Sequence, residues 1–266
     1  CDAVSMDDLG KVELVAITGI AVTETTDRIR PNLISLTLDY GTGIVAFAYD
    51  ETIDVTPNAN VDLNFAHICD VTGDSAIVLT GSTLLTDTTD ETIVSVRMVE
   101  SNRVFAIRNS GFTAAANSGE GGDGVPLVLD IFADSMVDVA GNKINPVSDF
   151  AIIEVNDDNP PVLTSAKVYL STGVLALTFD ETLDLTATSL LATPVLPVQI
   201  ELHQVSGDFN PLPIRPGFDR PMSPDIDSQY LNITLSEQDR ATAIRYSSTP
   251  GGDGVAMVLD MLPAAV

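Results

Sequence analysis

The sequence predicts an all-β protein: two tandem β-sandwiches, the second lacking its final strand, preceded by an N-terminal donor strand with no domain in front of it. Three observations lead there: a long internal repeat, period-two alternation within each copy, and short apolar runs punctuated by Gly and Pro with almost no helical period. The boundaries are 1–30 for the leading strand and its linker, 31–156 for the first unit, 157–160 for a joint and 161–266 for the second unit.

Residues 31–56, PNLISLTLDYGTGIVAFAYDETIDVT, align without a gap on residues 161–186, PVLTSAKVYLSTGVLALTFDETLDLT, with 11 of 26 positions identical at an offset of 130. The same offset superposes GGDGVPLVLD at 121–130 on GGDGVAMVLD at 251–260. Between them, AIRNS at 106–110 matches AIRYS at 243–247 at an offset of 137, so the middle loops differ in length.

Within each copy the pattern is that of strands. Residues 33–38 and 44–49, and their partners 163–168 and 174–179, alternate apolar with polar or small residues around a Gly-containing turn, which predicts a hairpin. Further strands are expected at 77–79, 93–98 and 125–131, and at 198–202, 230–234 and 255–261. Residues 99–109 and 236–246 suit one short helical turn each, with Ser236 as a cap.

The two copies end differently. The first continues through VDVAGN at 137–142 to a closing strand, DFAIIEV, at 149–155. The second reaches Val266, which the offset sets on Met136, so its closing strand is expected from elsewhere. Applied to the N-terminus, the offset sets Ile20 on Phe150, Ala21 on Ala151, Val22 on Ile152, Glu24 on Glu154 and Asp27 on Asp157. Val12, Leu14, Ala16, Thr18, Ile20 and Val22 share one mostly apolar face. Burying Val12, Leu14, Ile20 and Val22 is worth on the order of 6–12 kcal/mol before ordering costs. The expectation is an assembly strand that enters the second unit of an identical chain and joins copies head to tail without closing a ring. Two alternatives stay open: the strand folds back into its own second unit, or the chain is a segment of a longer tandem array.

Composition narrows the function. With 38 acidic and 12 basic residues the formal charge is -26, which repels nucleic acid and anionic membrane surfaces. No run of about 18 apolar residues is present, so no membrane span is expected. The opening on Cys1 rather than Met suggests a removed signal segment, and with it an extracellular location, or a chain trimmed at its head. Cys1 and Cys69 are a candidate disulfide within or between chains; a lipid on Cys1 and two unpaired thiols are the alternatives. His67 and His203 are not equivalent in the repeat and lack metal-type spacing. No nucleophile elbow or phosphate loop occurs, and the carboxylate pairs Asp50, Glu51 and Asp180, Glu181 recur at a strand end, as a structural turn would. The expectation is a protein that is not an enzyme and requires no cofactor.

The hairpin followed by DETID (50–54) and DETLD (180–184), with DVAGN at 138–142, resembles the Ig-like repeats, bacterial Ig-like or cadherin-like, of large secreted surface proteins of bacteria and algae. The resemblance covers most of both copies and implies the sandwich fold while saying little about activity. The head-to-tail scheme is similar to that of pilus subunits that complete a neighbour's sandwich, although no pilin motif is present. The linker Asn156, Asp157, Asp158, Asn159, followed by two prolines, resembles the calcium-binding joints of cadherin-like repeats, with Asp50, Glu51, Asp180 or Glu181 completing the site; a solvated acidic linker stiffened by proline is the alternative. At the equivalent head joint, Arg28 and Arg30 would oppose a cation. Asn232 begins the single N-glycosylation sequon, and the Thr-rich runs suit O-linked glycan. The resulting expectation is a structural subunit of an extracellular filament; the alternative is an adhesin or carbohydrate-binding module.

Overall fold

The computed structural model describes residues 18–70, 76–112, 121–183, 200–204, 211–214, 222–223 and 227–261. The architecture is mostly β, arranged in four sheets around two hydrophobic cores.

The first repeat starts with the hairpin β1 (Leu33–Asp39) and β2 (Ile44–Ile53). Its alternating residues point Leu36, Leu38, Val45 and Phe47 to one face, where all are fully buried. There follow β3 (Ala66–Asp70), β4 (Ala76–Val78), β5 (Thr83–Leu84), β6 (Glu91–Arg97), helix α1 (Glu100–Arg108), β7 (Leu127–Ile131), β8 (Val147–Ala151) and β9 (Ile153–Val155). They form one sheet of order β5-β6-β2-β1-β9 and another of order β4-β3-β7-β8. Ile68, Leu129 and Ile131 from the second sheet complete a core with the hairpin residues.

The second repeat comprises β10 (Leu163–Tyr169), β11 (Val174–Leu183), β12 (Ile200–His203), β13 (Leu212–Ile214), β14 (Met222–Ser223), β15 (Ser228–Thr234), helix α2 (Glu237–Arg245) and β16 (Val258–Met261). Its sheets run β10-β11-β15-β14 and β13-β12-β16, and Leu175, Leu177, Phe179, Ile200, Leu202 and Ile233 make its core. The two hairpins share one register down to the irregularity after the first residue, between Leu33 and Ser35 in one and between Leu163 and Ser165 in the other. Sequence identity at an offset of 130 therefore corresponds to identical strand pairing.

Three details differ from the sequence expectation. The single closing strand is two short strands, because the segment leaves one sheet and joins the other. Asp149 takes a left-handed conformation (φ 55) within β8, and Ile152, only 8% exposed, drops into the core between β8 and β9. The helical turns are nine-residue helices that bury little beyond one or two side chains each, hence their weak periodicity: Arg103 and Ala106 in α1, Asp239 and Ala243 in α2. Strands β3, β5, β13 and β14 are absent from the sequence expectation: each is short, and β3 buries only Ala66 and Ile68, too few residues to show a period. As expected, Ser236 caps α2, accepting from the Asp239 N–H at 3.2 Å. Among the described residues no helix is long and apolar enough to cross a membrane.

Candidate functional site

The most informative site is a slot that one segment fills in the first repeat and that, among the described residues, nothing fills in the second. In the first repeat, residues 147–155 pair with both sheets. β8 lies antiparallel to β7, with Val128 opposite Ala151 and Leu129 opposite Phe150, and β9 runs parallel to β1, with Leu38 opposite Glu154. Ile152 is buried and Val147 and Phe150 pack on the same core. Side chains pin the segment as well. The Asp149 N–H donates to Asp130 Oδ1 at 2.8 Å. Glu154 accepts from Tyr40 Oη at 2.5 Å and from the Gly111 N–H at 3.1 Å. Burial and the adjacent Glu154 charge push the Tyr40 hydroxyl far above its ordinary pKa, so it stays a donor.

In the second repeat β10 and β16 occupy the positions of β1 and β7, and each ends its sheet with a bare edge among the described residues. A groove of about 260 Å³ lies between them, lined by Ala166, Val168, Leu170, Leu202, Met257 and Leu259. Val258 and Tyr169 beside it are 41% and 43% exposed. A bare pair of edges over an apolar floor accepts a strand.

Of the predicted assembly residues, Val12, Leu14 and Ala16 lie outside the described residues. Thr18, Ile20 and Val22 are described and exposed, Ile20 at 69% and Val22 at 81%, and residues 18–32 belong to no strand. Gly19 has φ 75, and the repeat offset sets it on Asp149 with φ 55. The head segment thus carries the same left-handed bend at the same place.

Beyond the slot lies the joint between the repeats. The Arg103 guanidinium, its side chain 6% exposed, donates to Glu100 (2.8 and 2.9 Å), to the Tyr40 carbonyl (2.9 Å), to Asp157 (2.8 Å) and to Glu181 (3.2 Å). The Thr182 N–H donates to Glu100 Oε1 at 2.8 Å, and Arg108 pairs with Asp227. Burial raises Glu100, but the bonds from Arg103 and Thr182 outweigh it and hold the carboxyl low; burial leaves Glu181 raised, with Arg103 offsetting only part of it. The structure brings together two of the residues nominated for calcium, Asp157 and Glu181, around a guanidinium. Asp158 and Asn159 are exposed on the linker, where the Asn159 N–H donates to Asp157 Oδ1 at 3.0 Å.

Glu51 faces the opposite end of the first repeat. Its carboxylate clusters with those of Asp27 and Asp138, the ligand atoms within 4.8 Å of one another. Asp138 is held by the Asn142 backbone N–H at 2.7 Å and side-chain amide at 2.8 Å. Glu51 Oε2 is shielded from solvent and has no hydrogen-bond partner among the described residues. Burial first, then the charges of Asp27, Asp50 and Asp138, push the Glu51 carboxyl up. The sequence reading missed Asp27 and Asp138 as neighbours of Glu51, and Arg103 as the centre of the joint.

The remaining candidates are scattered. Cys69 carries a free thiol facing Asp130, and Cys1 lies outside the described residues. Asn232 is half-buried on the outer face of β15, opposite in direction to the buried Leu231 and Ile233, and Thr234 is exposed. His67 Nε2 lies 3.1 Å from the Asn64 carbonyl, and His203 Nε2 lies 3.3 Å from Glu201 and 3.2 Å from Asp260. The chain matches no protein-family model and no curated protein.

Proposed function

We propose that the chain is a structural subunit of an extracellular filament, built from Ig-like sandwiches and growing head to tail by donor-strand complementation. Residues 12–22 of one copy enter the groove between β10 and β16 of the next and add a strand to both sheets. The observation that carries the reading is the correspondence of slots: the two edges left bare in the second repeat by the described residues are the two that residues 147–155 cover in the first. The exposed head segment supplies the matching sequence and the matching bend at Gly19. Seated in that register, Val22 takes the place of buried Ile152, and Glu24 takes that of Glu154. Acidity keeps finished fibres apart in solution, and a glycan on Asn232 projects away from the core.

Removal of residues 1–26 tests the reading. The truncated chain is expected to form no filaments by negative-stain electron microscopy and to lose them at every concentration at which the full chain assembles. Filaments of unchanged diameter and abundance from the truncated chain would overturn it.

A further inference from the structure

The joint inside the chain is a template for a second joint between chains. Arg240 and Glu237 of α2 stand at the repeat positions of Arg103 and Glu100 of α1, at the offset of 137. Half of the arrangement is already formed. Arg240 donates to Glu237 at 2.7 and 2.6 Å and to the Leu170 carbonyl at 3.0 Å, where Leu170 corresponds to Tyr40. Its aliphatic stem packs over Gly173 as that of Arg103 packs over Gly43. Both glycines have positive φ, and a Cβ on either would come within about 3.2 Å of the arginine Cδ.

What differs is the other half. Arg103 continues to Asp157 and Glu181, whereas Arg240 meets no further carboxylate among the described residues and its side chain is 29% exposed against 6%. Glu237 is 76% exposed against 25% for Glu100. The offset of 130 turns Asp157 and Glu181 into Asp27 and Glu51, and Thr182 into Thr52. These are the residues gathered at the head of the molecule, where two of them crowd with Asp138 and Glu51 Oε2 is shielded without a donor. Thr52 is exposed, while Thr182 is covered by its bond to Glu100. A second cross-joint pair repeats as well: Arg108 with Asp227 becomes Arg245 with Asp90. Arg245 is exposed.

We infer that the tail residues Arg240 and Glu237 clamp the head residues Asp27, Glu51 and Thr52 of the next copy, reproducing between chains the bonds that Arg103 and Glu100 make within one. The occupant is a second copy of this chain, chosen by charge: the head offers a carboxylate cluster short of one donor, and the tail offers a guanidinium short of two acceptors. A divalent ion is the weaker fit for the head, since Arg28 and Arg30 follow Asp27 on the same exposed stretch and repel a doubly charged ion about twice as strongly as a singly charged guanidinium. A planar guanidinium matches paired carboxylates by geometry. The clamp fixes the angle between successive subunits after the strand has docked, so that every joint along the fibre is alike.

This inference rests on the head-to-tail reading, and the two are separable because Asp27 and Glu51 lie outside the donor segment. A fluorescent peptide of residues 7–26 reports strand docking alone when titrated onto dilute full-length chain. Assembly of the full chain, followed by light scattering, reports docking plus clamp. Arg240→Glu is expected to bind the peptide as the parent does while its assembly slows or weakens about tenfold or more. Asp27→Arg, which leaves the groove untouched, is expected to do the same. The combined variant R240E/D27R is expected to recover most of the loss. Parental assembly by both single variants, or assembly that requires added calcium and ignores Arg240→Glu, would overturn the clamp. Failure of the peptide to bind the parent chain would instead overturn strand donation, and the clamp with it.

Discussion

Leu36, Leu38 and Leu129 of the first repeat are fully buried, whereas their counterparts in the second, Ala166, Val168 and Leu259, are exposed or half-buried. The hairpins that carry the first two pairs have the same register and the same bulge. Their neighbours differ: β8 and β9 cover the first set, and nothing among the described residues covers the second. Burial here depends on sheet completion as much as on a strand's own pattern. The substitutions follow that logic, since Leu36 becomes Ala166, Leu38 becomes Val168 and Tyr40 becomes Leu170. Trimming these side chains lowers the apolar area left in water while the groove is open. It also limits edge-to-edge association with wrong partners.

Closing the second groove within the chain should erase the contrast. Appending residues 7–26 after Val266 supplies the missing strand in cis. The second repeat is expected to gain roughly 5 kcal/mol or more, from burial of the apolar face against ladder bonds already waiting on both edges. Thermal unfolding should merge from two transitions toward one, and light scattering should show no fibre growth. Two separate transitions in the appended chain would mean that the head segment does not fit the slot.

The next contrast is between the two arginines. Arg103→Ala leaves Glu100, Asp157 and Glu181 facing one another without a cation and is expected to cost about 3 kcal/mol, read by denaturant unfolding. Arg240→Ala should cost the dilute chain much less than Arg103→Ala, because Glu237 is in water and only the bond to the Leu170 carbonyl and the packing over Gly173 are lost. A smaller asymmetry is expected in the slot itself. Ile152→Ala should destabilise the first repeat by about 2–3 kcal/mol, while Val22→Ala should not alter the dilute chain and should weaken assembly only.

The sequence made the hairpins, the repeat and the Ser236 cap legible because each is local: alternation, identity at a fixed offset, and a capping hydroxyl three residues from its partner. The closing strand was placed correctly but its division was not, since a left-handed Asp149 leaves no mark on an apolar pattern. The joint was harder. Arg103 meets its partners Asp157 and Glu181 at separations of 54 and 78 residues, and only folding brings them together. One signal was available: Glu100 with Arg103 and Glu237 with Arg240 form the same three-residue spacing in both copies. A charge pair retained while the surrounding loops change length marks a contact that the repeat itself uses.

The smallest effects separate the two acidic ends by the sign of their response to pH. Glu100 is held low, so its contribution to stability is complete above the ordinary glutamate value of about 4.3 and is lost as pH falls through its lower folded value. Glu51 is raised, so the folded chain binds its proton more readily than the unfolded chain does. Lowering the pH through that raised value therefore stabilises the dilute chain, with the gain complete below about 4.3. Glu51→Gln should flatten this rise in the melting temperature measured from pH 7 toward 4.5, and Glu100→Gln should remove the loss at more acidic pH. In assembled fibres the rise due to Glu51 is expected to shrink, because Arg240 then favours the charged carboxylate as Arg103 does in part at Glu181. If melting of the fibre rises as steeply as that of the dilute chain when pH falls toward 4.5, Glu51 has no cation beside it.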